Sequence, residues 1–543
     1  MVQFLHSVTN VKRTLWWVGG FLALVGVGLG GAAIYLSRRM QDFEPALRQR
    51  AVDYLSQRFA SEVELKELHV HLPSVHFFRA LFHRNEGAVA EVQGADLVVR
   101  YHKRTDLPPL FEISAFKANI GLEGLVRPSQ VVQSLEIDGM EIHIPPREDE
   151  NATNAAEKES NKGKVTNLAF SHARIRNAHL VLLPKDASKK PLEFQIANLD
   201  LDTMEQSGVV RYQSNLTNPK PPGDITSDGM FGPWDRDNPG ATPLSGQYDF
   251  KNADLSVFPA IAGTLHSTGT FTGELSEITA KGEATVPNFR LTRANNPLPL
   301  KTTFEVMVDG TNGNTELRPV HAVLGTTAFT TSGAVLKRNG EQQRTISLQV
   351  HMPSGQLRDL LTLAMAGKPM LQGKINLEAK ILIPPLAKRV REKLVIDGKF
   401  AVTDGYFLQS SIRQRLDELS RRAQGEPKNL AIEDVMTEVA GQIHLENEQV
   451  NFPMLNFSVP GANVALSGMY DMKESNLDFD GTVRLDAKIS QTMTGWKRIL
   501  IKPFDPIFAK DGAGAVLPLE ISGSADHPKF GISVKRALSL SKK

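Results

Sequence analysis

The chain contains no cysteine, which excludes disulfides and thiolate-ligated metal. Aromatic residues make up only 7% of it. Of the four tryptophans, Trp16 and Trp17 fall in one apolar run near the start. Sandwich cores of this size draw on more aromatic filling than that. Net charge is nearly absent as well: 62 Lys+Arg against 60 Asp+Glu leaves +2. That balance gives no electrostatic case for nucleic acid, which needs a clustered basic face. Neither GxSxG, nor a P-loop, nor HExxH, nor a dinucleotide fingerprint occurs. The chain therefore reads as a non-enzyme without a cofactor. His69 and His71 share a strand face, with His76 and His83 following, but no third ligand completes a metal site. The stretch "VDGTNGNTE" lacks the spaced acids of a calcium loop and reads as an Asn/Gly turn.

What is present begins with "TLWWVGGFLALVGVGLGGAAIYLS", residues 14–37, uncharged and flanked by Lys12-Arg13 and Arg38-Arg39. At 1.5 Å per residue this run spans a bilayer core, and Trp16, Trp17 and Tyr35 sit near its ends. It exceeds a typical signal-peptide core and lacks a clear small-x-small cleavage site, so a membrane anchor over 1–40 is expected. Residues 41–146 form a membrane-proximal helix plus β region. Its helix carries Phe43, Leu47, Ala51, Leu55 and Phe59 on one stripe, which either caps the first strands or lies on the membrane. In "QSLEIDGMEIHIPP" the apolar parity switches at Asp138-Gly139, which marks a bulge or tight turn. Residues 147–164 are charged, polar and free of large apolar side chains, as in a disordered loop.

From 165 to 543 short alternating strands dominate, without βαβ rhythm. "GQLRDLLTLAMAG" and "SSIRQRLDELSRRAQG" are the helical interruptions. "QTMTGWKRILIKPFDPIFAK", mixed apolar and basic, reads as a terminal cap or a membrane-touching segment. Glycines recur inside the apolar parity. Gly282 falls in phase with Ile278, Ala280 and Val286, and Gly246 with Tyr248 and Phe250. Gly373 falls in phase with Ile375 and Leu377, Gly398 with Leu394, Ile396 and Phe400, and Gly441 with Ile443 and Leu445. Gly468 follows Leu466, Gly481 follows Phe479, and Gly523 follows Ile521 in the same way. Gly269 and Gly282 are symmetric about one turn, Gly468 and Gly481 about another, so each pair is expected to face across a hairpin. Glycine weakens a strand and relieves crowding where a sheet curls. The pattern predicts a long, strongly curved antiparallel sheet, its apolar face forming an open groove. An ordinary β-sandwich with glycines at bulges is the alternative.

"LEIDGMEIHIPP", "GPWDRDNPGATPLSGQYDF", "VDGTNGNTELRPVHAVLG", "FSVPGANVALSGMYDMKESNLDFDGTVRL" and "ISGSADHPKFGISV" resemble the AsmA-like family of bacterial envelope proteins. The resemblance covers most of the chain and is best in its carboxyl half. It implies a bacterial inner-membrane anchor, with the bulk of the chain in the periplasm as an AsmA-like β-groove region. It also implies phospholipid traffic and outer-membrane assembly as the setting. The family's bridging members are much longer. Some 20 strands at roughly 4.8 Å each would reach on the order of 100 Å, so a partner or a shuttle step would be needed. The expected function is binding or conduction of phospholipid acyl chains. The alternative is an envelope scaffold that holds a partner protein through its sheet edges.

Overall fold

The computed structural model describes residues 45–49, 51–53, 55–56, 61–71, 89–100, 107–121, 132–144, 170–183, 191–203, 208–233, 235, 239–310, 312–337, 344–385, 390–509, 512, 514–524 and 527–531. The chain is mainly β, and its sheet is antiparallel and open. It divides into two compact units. The first takes Met1–Val181, Gln195–Gln213 and Pro233–Pro239; the second takes Leu182–Phe194, Ser214–Gly232 and Gly240–Lys543. The expected anchor and the expected loop over 147–164 lie outside the described residues. Among the described residues no helix is long and apolar enough to cross a membrane.

In the first unit β1 (Glu62–His71), β2 (Val89–Arg100), β3 (Phe111–Gly121) and β4 (Val132–Ile144) pair antiparallel in chain order. β5 (Phe170–Leu182) follows. Alternation buries Val63, Leu65, Leu68 and Val70 of β1 with Val92, Leu97 and Val99 of β2, and Leu47, Ala51, Val52 and Leu55 pack onto them. The amphipathic helix thus caps the first strands; its outermost predicted residues, Phe43 and Phe59, lie outside the described residues. The parity switches at one level in several strands. β1 changes between Leu65 and Leu68, β2 between Leu97 and Gly94, and β4 between Ile137 and Met140. The step is made by Asp96 (φ 53), Gly139 (φ 73) and, in β5, Asn177 (φ 53), residue types that tolerate a left-handed backbone. Lys66 Nζ holds Asp96 at 2.9 Å, and Asn177 Nδ2 donates to Asp138 Oδ1 at 2.7 Å. The phase change predicted at Asp138-Gly139 is this step, which the paired strands make together with their register unbroken rather than by a bulge in one of them.

β6 (Leu192–Thr203) and β7 (Val210–Pro219) precede the ladder of the second unit. That ladder comprises β8 (Pro222–Phe231), β9 (Pro243–Asp254), β10 (Ile261–Ala262), β11 (Thr264–Glu274), β12 (Glu277–Leu291), β13 (Leu298–Val308), β14 (Thr315–Leu324), β15 (Thr327–Leu336) and β16 (Thr345–Gln356). It continues through β17 (Leu371–Ile383), β18 (Val395–Phe407), β19 (Thr437–Glu446), β20 (Gln449–Val459), β21 (Ala462–Asp471), β22 (Asn476–Leu485), β23 (Ala515–Ser524) and β24 (Lys529–Gly531). Apart from the two-residue β10, each strand pairs antiparallel with the next, so the unit builds one ladder rather than two facing sheets. No pairing among the described residues returns β24 to β8.

Helices close one end of these strands. Leu357–Ala364 leads out of β16 and packs Leu357, Leu360 and Leu361 on Met352, Ile375 and Val402. Burying a side chain of the size of Met352 contributes about 1.5–3 kcal/mol. Asp359 in its first turn accepts from Thr326 N and from the hydroxyls of Thr326 and Thr327, at 2.8–2.9 Å. Asn296 Nδ2 donates to Thr362 O and Met365 O near its end. The helix Ser410–Ala423 lays Leu416, Leu419 and Ala423 on Val459, Ala462, Leu485 and Ala515. Ser420 Oγ donates to Pro460 O at 2.8 Å and Val435 N to Asp417 Oδ1 at 3.1 Å, which fixes this helix at both the β21 and the β19 side.

Candidate functional site

Strand alternation assigns every second residue to one face, and the pairings carry that assignment from strand to strand. Followed across the second unit, one row reads Gly229, Gly246, Phe271, Ala280, Val306, Leu317, Gly333, Leu348, Ile381, Ile396, Leu445, Val450, Tyr470, Leu477, Gly523. No charged residue interrupts it. Four residues along the strands, or five across the irregularity in β20, a second row reads Met352, Leu377, Phe400, Gly441, Leu455, Leu466, Gly481, Leu519. In the first row only Leu445 is buried; its neighbours are half-buried. Full burial concentrates at the helix-capped end, at Val286, Met352, Ile375, Val402, Val459 and Ala515. Ala379 and Phe479, between the two rows, are buried as well, but most of the middle of the face is half-buried and meets no covering layer among the described residues.

The opposite face is polar. Lys281 and Arg318 both pair with Glu305 and hold its carboxyl below its ordinary range, the Lys281 hydrogen bond contributing most. His444 Nδ1 lies 2.6 Å from Asp397 Oδ1; that hydrogen bond raises the imidazole above its ordinary value. A shallow hollow on this face is lined by Lys301, His321, Thr330 and His351. No group of three metal-ligating side chains occurs among the described residues. His69 and His71 stand on the exposed face of β1, and Asp309 to Asn314 close a turn through Gly313 (φ 73).

The groove residues expected from sequence come together with few exceptions. Ile278, Ala280, Gly282 and Val286 share the face of β12, paired to Val308, Val306, Phe304 and Leu300. Ile375, Leu377, Ile396, Phe400, Ile443, Leu445 and Leu466 take the same face of β17 to β21. Ile375 lies under the helix cap at 6% exposure rather than in the open middle. Leu394 is a correction: it precedes β18 and its N–H closes the turn Val390–Lys393 onto Val390 O, so strand alternation does not position it.

Gly269 and Gly282 are direct partners, as expected. A Cβ on Gly282 would stand 3.0 Å from Gly269 Cα and 3.1 Å from Tyr248 Oη, and nearer still to Thr268 O. The Tyr248 ring thus roofs a pair of bare backbones. Its hydroxyl lies 3.1 Å from Ser267 Oγ, which donates onward to Glu283 O. Burial pushes the phenol up, and the Ser267 bond opposes it. The expected pairing of Gly468 with Gly481 is not formed. Asp471 pairs with Asn476, so Gly468 faces Phe479 and Gly481 faces Leu466. Gly468 instead separates Phe452 from Phe479, whose rings meet at 5.6 Å. Gly398 and Gly441 keep their in-phase places, and Phe400 leans to 3.1 Å from the missing Cβ of Gly441. Gly373 departs from the expectation: the β17–β18 register shifts across it and its φ is 153, so it is a bulge residue. Gly523 has φ 92, and a Cβ there would meet its nearest neighbour at 3.5 Å, an ordinary contact, so conformation rather than crowding calls for glycine there. Gly229 and Gly333, which the sequence reading missed, belong to the row. Gly333 was findable from its phase with Phe329, Thr331 and Val335. Comparisons with protein-family models, with curated proteins and with solved structures find no match.

Proposed function

We propose that the apolar face of the second unit is an acyl-chain groove, and that the chain holds or conducts phospholipid tails along it. The single observation behind this is the cross-strand row from Gly229 to Gly523, uncharged throughout and, apart from the buried Leu445, half-buried. Monomers rarely leave an apolar stripe of that extent open to water. At about 4.8 Å per strand the row extends on the order of 65 Å. Tail methylenes laid on it gain about 0.8 kcal/mol each from leaving water, while head groups stay wet at the open side. Strong curvature belongs to this proposal. Its support is the register shifts in ladder after ladder and the close backbone approach at Gly269 and Gly282. The uncharged run at 14–37 and the resemblance to AsmA-like proteins supply the setting: an inner-membrane anchor, a periplasmic body, and movement of phospholipid toward the outer membrane. Direction then comes from partner proteins or gradients.

The test is the lipid itself. Full-length protein isolated from membranes is extracted and its lipid counted by mass spectrometry per mole of protein. Asp at Leu348, Ile381 and Ile396 together should reduce bound phospholipid at least tenfold. Asp at Ser347 and Gln349, on the other parity of β16, should leave it unchanged. Equal lipid in both variants, or none in the wild type, rejects the groove.

A further inference from the structure

Between Asp486 and Asp505 the sequence holds Lys488, Lys497, Arg498 and Lys502 and no carboxylate. Within this stretch the short helix Trp496–Ile501 places Trp496, Ile499 and Leu500 at i, i+3 and i+4, the spacing of one helical face. That face is turned outward: Trp496 is 67% exposed, Ile499 74% and Leu500 59%. Lys497, Arg498 and Lys502 are exposed around it. Among the described residues nothing covers this face, although the segment beneath is firmly held. Asp505 accepts from Ser490 N at 2.9 Å and from Ser490 Oγ at 2.7 Å, Ala487 N donates to Ala423 O, and Arg422 donates to Thr492 O. Ile489 and Phe508 pack into the cluster around Val459 and Leu485. The strand ends on this side of the ladder display further exposed apolar side chains at Met370, Leu408 and Met436, as does the loop before β19 at Leu430.

A fixed, outward apolar face ringed by cations, with tryptophan at its edge, has the chemistry of a membrane-surface contact. We infer that Trp496, Ile499 and Leu500 insert into the interface of an anionic bilayer, with Lys497, Arg498 and Lys502 on its phosphates. The charge decides the occupant: a second copy of this segment would bring like charge onto like, whereas anionic head groups complement it. This contact is independent of the groove and would stand if the groove held no lipid.

The experiment uses the full chain with Trp16, Trp17 and Trp234 changed to Phe, so that Trp496 is the single reporter. The protein is reconstituted in phosphatidylcholine vesicles and mixed with acceptor vesicles of equimolar phosphatidylcholine and phosphatidylglycerol carrying brominated acyl chains. A parallel sample carries the same brominated mixture in the host vesicles. Quenching of Trp496 in either arrangement, relieved by high salt and absent with brominated phosphatidylcholine alone, is the expected result. Replacing Lys497, Arg498 and Lys502 by Gln should weaken association about fivefold per charge. Ile499→Ser with Leu500→Ser should abolish quenching while the circular dichroism spectrum is kept. Groove variants at Leu348, Ile381 and Ile396 should leave it intact. Absence of quenching in both arrangements overturns the inference. So does a Trp496 emission shift that follows protein concentration without vesicles, which would identify a second copy as the occupant.

Discussion

At the residue scale the informative positions are those where a side chain is missing. Gly269 and Gly282 face one another under Tyr248, and a methyl on either would be driven into the neighbouring strand's backbone. Gly282→Ala or Gly269→Ala should therefore destabilise by roughly 1–3 kcal/mol, the range for overpacking. Gly398→Ala should cost clearly less, because its nearest neighbours stand 3.2 Å and more away. Urea denaturation of the three variants checks this ranking; equal costs would mean that backbone approach is not what selects glycine at the pair. The in-phase glycines were legible in the sequence, but their reasons were not. Parity alone cannot separate a crowded position such as Gly282 from Gly373 and Gly523, whose demand is a left-handed φ. Nor does parity reveal a left-handed Asp or Asn. Asp96 beside Lys66 and Asp404 beside Lys374, each pair 2.9–3.0 Å apart, repeat one left-handed aspartate that only the backbone discloses, at an unshifted register in the first case and at a register shift in the second.

At the scale of elements, the strands follow from alternation, and the two capping helices from their stripes in "QLRDLLTLA" and "SIRQRLDELSRRA". Register is harder to read. Whether Gly468 meets Gly481 depends on the four-residue loop between Asp471 and Asn476, and that loop moves the pairing by one residue on each strand. The segment from Ile489 to Phe508 shows why a mixed apolar and basic stretch stays ambiguous in sequence. Its ends are cap and its middle is surface, and the division is made by one buried carboxylate. Hydrogen bonds from Ser490 hold the Asp505 carboxyl below its ordinary range against the opposing effect of burial. A lowered folded-state pKa gives stability that is complete above the unfolded carboxylate value and lost as pH falls through the folded one. Thermal unfolding followed from neutral pH downward should show that acid loss in the wild type. Asp505→Asn should already be weakened at neutral pH, by about 1.5–3 kcal/mol, and the gap should close on acidification. A gap that is constant with pH would remove the Asp505 lock from the account.

At the scale of the whole molecule, the absence of cysteine, the scarcity of aromatics and the recurrent in-phase glycines belong to one design. An open face filled with Val, Leu and Ile needs fewer rings than a closed core, and a ladder built strand after strand needs no covalent staple. The mainly β, open, antiparallel character was legible because parity survives through many strands. The continuity of the row was not, because it depends on the register of each successive hairpin. The central claim is that lipid lies on one parity and not on the other, and a crosslinking scan reads that directly. A photoreactive benzoylphenylalanine is placed singly in the full chain at Leu348, Ile381 and Ile396, and in turn at the intervening Ser347, Gln349, Lys380 and Asp397. After irradiation in native membranes, phospholipid adducts are detected by mass. The account predicts adducts at Leu348, Ile381 and Ile396 and none at the intervening positions. Adducts on both parities, or on neither, would contradict it.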